Sequence, residues 1–358
     1  MENRREGIPL LHICAAAWHV IGMTADSTRS TNTNFTRYQP GSKTGHYESF
    51  FLRANHPTRP LAFWIRYTLF SPRRRPDDAI GELWAVYFDG ERGQHVAVKQ
   101  EVPIGHCVFS ASEFLVDIAD AYLRPGKLAG SAVTSGHAIS WKLTFAGAAA
   151  PLFLLPPALY GARLPKAKSL VSLPSATFSG SLAVDRVVID VTNWVGSQNH
   201  NWGPRHTDHY AWGQVAGFDA HPDSFLELGT ARLKIGPLWT PFMTLLVLRH
   251  RGKEIALNSL RQSLRARASF SYFDWHVRTE DEAFRIQAQV SAPREAFVGL
   301  RYFNPPGGIK HCLNSKLAAC KLTLTDKRNG SSETLSTQHR AAFEILTDDT
   351  GHGVELRL

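Results

Sequence analysis

Between Asn193 and Asp219 the chain gathers side chains that can do chemistry: Trp194, Trp202 and Trp212, His200, His206 and His209, and Asn193, Asn199 and Asn201, with Asp208 and Gln214 among them. Three Trp, three His and three Asn within 27 residues exceed what ordinary loop chemistry requires. Amide and imidazole groups set among indoles suit a cavity that is apolar in bulk and carries a few directed donors and acceptors, the usual build of a site for a hydrophobic ligand. The plainer reading is a loop whose Asn and His side chains cap backbone groups while its Trp rings plug the end of a barrel. The residues alone leave these two readings even. The three histidines fall at i, i+6 and i+9, which follows no familiar metal-ligand pattern, so no metal is expected there.

The elements that must hold this segment read as strands. Runs of six to eleven residues, rich in β-branched and aromatic side chains and separated by turn residues, begin at His46 and recur through Leu61–Ser71, Gly81–Asp89, Gln94–Val102, Ser112–Ile118 and Ala138–Ala146. After the proline-rich stretch from Pro151 to Pro174 the texture repeats, from Ser181–Val191 through Ala211–Phe218, Phe225–Ile235, Phe242–Arg249, Phe270–Arg278, Ala283–Val290, Phe297–Phe303, Ala319–Asp326 and Ala341–Leu346. Helical periodicity is scarce. Its best candidates are the N-terminal run Leu10–Met23 and Leu257–Arg267. The expectation is an all-β chain with few short helices. Residues 1–44 would form a flexible leader, 45–180 a first β domain and 181–358 a second, because antiparallel sheets hide their edges by closing or stacking.

Two stretches carry a resemblance. Asn199-His200-Asn201-Trp202-Gly203, followed by Ala211-Trp212-Gly213-Gln214 and Phe218-Asp219, resembles the signature of the lipocalin-like superfamily that contains carotenoid 1,2-hydratase, AttH-type proteins and tocopherol cyclase. His46-Tyr47-Glu48-Ser49-Phe50-Phe51 and Glu82 to Asp89 are similar to strands of the same proteins. The likeness spans roughly residues 45 to 250. It implies two consecutive lipocalin-like antiparallel β-barrels with a hydrophobic pocket near their interface, and chemistry on an isoprenoid or polyene. Hydration of an alkene, or cyclisation of a phenol onto one, starts when a protein acid protonates the double bond, and it needs no cofactor. Such a site requires a carboxylic acid kept protonated by burial, aromatic faces for the cation, and a base or positioned water.

In that scheme His200 and Trp202 carry over directly. Phe225-Leu226-Glu227 stands where the hydratases have an aromatic-x-acid element, with Phe in place of Tyr and Glu in place of Asp. The implied roles are Glu227 or Asp208 as proton donor, His200 as base or water-orienter, and Trp202 and Trp212 as the cation-facing wall. Trp194, Asn199, Asn201 and Gln214 would complete the substrate site. Each has a plainer alternative: Glu227 on the solvated face of its strand, Asp208 capping a turn, the indoles as packing. At the level of function, the alternatives are a non-catalytic carrier of a hydrophobic ligand and a pericyclase or isomerase that shapes a polyene without an acid.

The remaining composition bounds the partners. The chain has 358 residues, 43% hydrophobic and 20% charged, which excludes collagen-like, coiled-coil and wholly disordered forms. Its net charge of +9 gathers in Arg249, Arg251, Lys253, Arg261, Arg265 and Arg267, and in Arg73-Arg74-Arg75. Without interleaved stacking aromatics these stretches do not favour nucleic acid, and they suit plain solvation or contact with an anionic membrane surface. Arg4 and Arg5 before Leu10–Met23 imitate a signal peptide, but His12 and His19 interrupt the run, so a cytoplasmic and at most peripherally membrane-associated protein is expected. Cys14, Cys107, Cys312 and Cys320 contain no CxxC pair, and only Cys312 with Cys320 invites the question of a bridge.

Overall fold

The computed structural model describes residues 32–134 and 136–358. Its first half forms one antiparallel sheet from β1 (His46–Asn55), β2 (Leu61–Ser71), β3 (Ile80–Asp89), β4 (Gln94–Pro103), β5 (Cys107–Phe109), β6 (Val116–Ile118), β7 (Ala121–Arg124), β8 (Lys127–Thr134), β9 (His137–Ala146), β10 (Leu152–Phe153), β11 (Lys168–Val184) and β12 (Val187–Gly203). The order is β4-β3-β2-β1-β12-β11-β9-β8-β7-β6-β5, with β10 beside β11. The Lys99 amide donates to Thr134 Oγ1 at 2.8 Å across the seam between β4 and β8, which nearly closes a barrel.

The second half comprises β13 (His209–Ala216), β14 (Phe225–Arg232), the hairpin β15 (Lys234–Ile235) and β16 (Leu238–Trp239), β17 (Met243–His250), β18 (Lys253–Leu257), α1 (Leu260–Arg265), β19 (Arg267–Ser271), β20 (Asp274–Glu280), β21 (Phe284–Ser291), β22 (Val298–Phe303), β23 (Ile309–Asp326) and β24 (Ser332–Thr347). Its order, β18-β17-β14-β13-β24-β23-β21-β20-β19 with β22 beside β23, repeats the first sheet strand for strand once β5, β6 and the β15–β16 hairpin are set aside. The chain is therefore all-β, with two consecutive lipocalin-like barrels of the same winding. The short helix starts with a capping box, Ser259 with Gln262.

The expected boundary at residue 180 falls inside β11. The run Ser181–Val191 is not one strand but the turn of the long β11–β12 hairpin, where Asp185 and Arg186 both take positive φ, 46° and 74°. The hairpin belongs to the first sheet, so the division by sheets comes after Gly203. Phe270–Arg278 is likewise two strands, turned at Phe273 with φ 80°. Residues 32–44, expected as the end of a loose leader, are pinned to the first barrel. Thr33 and Thr36 are buried there, and Asn34 Oδ1 accepts from Gln198 at 2.8 Å. The helix expected at Leu10–Met23 and Cys14 lie outside the described residues. Cys312 and Cys320 are free thiols on the same strand, β23, eight residues and so about 27 Å of strand apart, too far to bridge. Among the described residues no helix is long and apolar enough to cross a membrane.

Alternation along β1 explains how the halves meet. Phe50, Leu52 and Ala54 turn into the first barrel with Phe63, Ile65, Tyr67 and Phe178. The intervening Phe51 and Arg53 turn outward and are as deeply buried, because the second half covers that face. A cluster including Phe51, Trp64, Trp84, Tyr302, Cys312 and Leu346 forms the apolar seam between the sheets, and Trp64 and Trp84 are each 1% exposed. At about 2 to 3 kcal/mol for each large apolar side chain removed from water, this seam makes the two barrels one folded unit.

Candidate functional site

Within the seam lies a polar chain that starts at Arg53. Gly196 is what lets β12 approach β1 there: a Cβ on it would lie 1.8 Å from the Arg53 carbonyl oxygen. Arg53 is fully buried; its Nε donates to Gln214 Oε1 at 2.9 Å, Nη2 to the Gln214 carbonyl at 2.8 Å and Nη1 to Asn55 Oδ1 at 2.6 Å. Gln214 Oε1 also accepts from Ser197 Oγ at 2.6 Å, while its Nε2 donates to Asn199 Oδ1 and to Glu227 Oε2, each at 2.8 Å. All four hydrogen-bonding positions of the amide are used, which fixes its orientation. Glu227 Oε1 takes the indole N–H of Trp212 at 2.7 Å.

Glu227 ends this chain as a carboxyl 1% exposed. In register it lies between Gln214 on β13 and Val247 on β17. Val247 belongs to an apolar cluster with Leu152, Leu154, Val171 and Phe225 that joins the two halves. Burial pushes the carboxyl up, the donors Trp212 and Gln214 and the nearby Arg53 charge pull it down, and the balance leaves it raised from 4.5 to about 7. The alternative that placed Glu227 on a solvated face is excluded. Its two neighbouring side-chain partners are donors only in these contacts, so when the carboxyl carries a proton neither of them receives it.

Other sequence candidates sit elsewhere. His200 is on β12 one residue from Asn199 and therefore on the opposite face, inside the first barrel against Phe50 with rings 4.2 Å apart. Its Nδ1 meets the Thr33 carbonyl at 2.6 Å and its Nε2 meets Glu48 Oε1 at 2.8 Å. Both nitrogens are engaged by these partners and neither is directed at Glu227. Glu48 also accepts from Thr36 Oγ1 at 2.7 Å, His46 Nε2 at 2.9 Å and the amides of Arg37 and Tyr38. Burial alone would push that carboxyl up; the hydrogen bonds from His200 and His46 outweigh it and hold it well below the usual carboxylate range.

Trp202 packs on the same face as His200, at 4.6 Å between rings, and Trp194 lies in the first barrel's core against Phe63. Neither borders Glu227, which corrects the expectation of one indole-lined wall; Trp212 alone of the three touches the acid. Asp208 is paired with Arg205 and accepts the Lys234 amide at 2.9 Å, which makes it the clasp of the turn before β13. Six residues separate it from Gln214, about 20 Å along an extended strand. His206 stacks on Tyr47 at 3.9 Å, and burial drives its imidazole down to about 3, so it is neutral. Asn201 shares the seam-facing side of β12 with Ser197 and Asn199, and its Oδ1 is buried without a hydrogen-bond partner, as is Trp64 Nε1.

No family model matches the chain. An uncharacterized protein of Mycobacterium tuberculosis strain H37Rv is 29% identical over 284 residues, 78% of this chain and 82% of that protein. Among solved structures, an AttH-type protein of Nitrosomonas europaea superposes with a TM-score of 0.53 at 12% identity, over 85% of this chain and 92% of its own. CghA, in a crystal structure with Sch210972, gives 0.51 at 10% identity, over 88% and 96%. The fold is the one shared with these two structures.

In this lipocalin-like pair of barrels, several seam residues had no local signal in the sequence. Lys316 is fully buried; its Nζ donates to Asn314 Oδ1 at 2.5 Å and pairs with Glu344 Oε1 at 2.7 Å, 5.6 Å over the Trp212 ring. Arg66 donates to Ser49 Oγ at 2.6 and 2.9 Å and stacks over Tyr302 at 4.5 Å. Arg53 and Arg66 belong to the first sheet and Lys316 and Glu344 to the second, so the two pairs approach only because the sheets face each other. A separate cleft of about 450 Å³ opens on the outer face of the second sheet, lined by Arg267, His276, Arg278, Gln289 and Lys321 among others. Its charged side chains are basic, it carries no carboxylate and it lies away from the aromatic segment, so it is not the pocket expected there. Of the basic stretch, Arg249 pairs with Glu254 at 2.8 Å and Arg251 with Glu333 at 2.6 Å.

Proposed function

We propose that the protein is a cofactor-independent acid catalyst of the hydratase or cyclase type, acting on a hydrophobic isoprenoid or polyene substrate, with Glu227 as the proton donor. The observation that carries this is a carboxyl 1% exposed that burial raises to about 7 against the pull of the Trp212 and Gln214 donors. A general acid works best when its pKa lies near the working pH. The Glu227 O–H would give its proton to one alkene carbon; the π pair forms the new C–H bond and leaves a tertiary cation on the neighbouring carbon. Trp212, bonded to the acid, and Phe51 at its edge would be the aromatic rings nearest that cation. Water or a substrate hydroxyl then attacks, and its proton returns to the Glu227 carboxylate. Asn199 and Gln214 position the acid. The fold shared with the AttH-type structure and the aromatic seam support this reading, and Arg261, Arg265 and Arg267, which form no ion pair among the described residues, suit contact with an anionic membrane that stores such substrates.

A second reading, a carrier that binds without reacting, is favoured by one observation: both Glu227 oxygens are already engaged in a tightly packed seam. Extraction of tag-free protein and mass spectrometry of the apolar compound it retains identifies the ligand. Incubating that compound with the protein in D2O separates the readings. Acid catalysis puts one deuterium on carbon, and Glu227→Gln slows it by about 10² to 10⁴. A compound recovered unchanged supports the carrier, and product formation that survives Glu227→Gln supports a pericyclase or isomerase.

A further inference from the structure

At one end of the second barrel, away from the proposed acid chemistry, three side chains converge: His221 in the turn between β13 and β14, His250 at the end of β17 and Glu333 at the start of β24. Their donor atoms lie within 4.8 Å of one another. His221 Nε2 is 3.2 Å from Glu333 Oε1, and His250 Nε2 is 3.0 Å from Glu333 Oε2. In a tetrahedral zinc site with bonds of about 2.0 to 2.1 Å, neighbouring ligand atoms stand about 3.3 to 3.4 Å apart, so each histidine already stands at about that distance from one oxygen of the carboxylate, and a rotation of the carboxylate would bring one oxygen toward both.

The surroundings are built rather than fortuitous. His250 is 5% exposed, and Ser224 Oγ, itself buried, holds its Nδ1 at 2.8 Å, leaving Nε2 directed at the carboxylate. An outer partner that fixes the far ring nitrogen is the usual companion of a metal-binding histidine. The turn that presents His221 is also rigid. His221 and Phe218 exchange backbone hydrogen bonds at 3.1 Å, the Ser224 amide donates to the His221 carbonyl at 3.1 Å, and Asp219 is tied to Ser336 and Arg340 on β24. Gly217 makes the turn possible with φ 80°, where a Cβ would lie 2.9 Å from the Pro222 carbonyl oxygen.

We propose that His221, His250 and Glu333 bind a divalent transition-metal ion such as Zn²⁺, with water as the fourth ligand. Two imidazoles and one carboxylate match borderline cations and not Ca²⁺ or Mg²⁺, which take oxygen. Glu333 Oε1 also holds Arg251 Nη2 at 2.6 Å, and Arg251, 69% exposed, is free to swing into solvent when the metal arrives. Arg251 thus competes with the cation for the same oxygen.

The test is calorimetric titration of Zn²⁺ into chelator-stripped, tag-free, full-length protein, with Co²⁺ as a spectroscopic substitute. Expected are one equivalent bound at micromolar affinity or tighter and the visible bands of four-coordinate cobalt. His221→Ala, a change in a partly exposed turn that leaves the barrel packing intact, should weaken binding at least tenfold, as should Glu333→Gln. Ser224→Ala should weaken it about 10- to 100-fold through His250. Arg251→Gln should tighten it, the result that a mere ion-pair network at these residues does not produce. Absence of saturable binding at millimolar metal, or binding of equal affinity in wild type, His221→Ala and Glu333→Gln, would overturn the proposal.

Discussion

Replacing Glu227 by Gln should remove a pH dependence from the folding stability. The folded protein holds the Glu227 proton up to about pH 7, whereas the unfolded chain releases it near 4.5. Between those values the native state binds more protons than the unfolded state, so stability falls as pH rises, fully present below about 4.5 and lost above 7. At 1.36 kcal/mol for each tenfold change in proton affinity, the loss is about 3 kcal/mol. Gln has one acceptor oxygen where the carboxylate has two, so its amide must confront either the Trp212 or the Gln214 donor. That offset, about 1 to 3 kcal/mol, does not depend on pH. Urea denaturation of both proteins from pH 4.5 to 8 therefore isolates the effect, because other titrations cancel in the difference. Wild-type stability relative to Glu227→Gln should drop by about 3 kcal/mol across the range. A difference that stays flat across this range would refute the reasoning and, with it, the protonated acid on which the proposed catalysis depends.

Other perturbations probe the same network. Trp212→Phe removes the N–H donor to Glu227 Oε1 and should cost about 1.5 to 3 kcal/mol at pH 8, where the carboxylate is charged, and clearly less at pH 5, by the same denaturation assay. Arg53→Met leaves Gln214 and Asn55 without their buried donor and takes a positive charge from beside Glu227; it should destabilise by about 3 to 5 kcal/mol and move the Glu227 transition upward in pH. Glu48→Gln loosens the contacts that bind Thr36, Arg37 and Tyr38, so limited proteolysis followed by mass spectrometry should show faster cleavage within residues 33–44 while the barrels stay intact.

The strands were legible where turn residues bracket a run, as in β2, whose limits Leu61 and Ser71 are those expected from the sequence. They were hidden where the turn lacks a signal: Asp185-Arg186 makes a left-handed hairpin turn without glycine or asparagine, so β11 and β12 were read as one strand across it. Residues 32–44 resemble a linker in composition, yet the Thr33 carbonyl, Thr36 hydroxyl and Asn34 amide that give them that look are what fasten them to the barrel. The seam was illegible for a different reason. β1 to β3 are buried on both faces, so neither face declares itself by polarity, and Arg53 and Arg66 read as ordinary exposed arginines. Motif position singles out Glu227 in the sequence, but Arg53, which is linked to it through Gln214, lies 161 residues from that glutamine and has no local signature.

The same period of two decides what the motif segment can do. In Ser197-Gln198-Asn199-His200-Asn201-Trp202, the odd positions turn to the seam and the even ones into the first barrel. Ser197 and Asn199 therefore join Gln214 and Glu227, while Gln198 and His200 clamp the chain before β1. One short motif thus serves two separate networks, and a histidine one residue away from the acid's support cannot act as its proton partner. The duplicated winding sharpens this. β2 and β14 occupy the same place in their sheets, and each turns a buried ionisable group toward the other half, Arg66 from the first and Glu227 from the second. Two identical halves would meet with like groups. Instead an arginine stands on one side and a carboxyl raised to about 7 on the other, with Trp212 against the acid, so the matched winding carries unlike chemistry on its two sides.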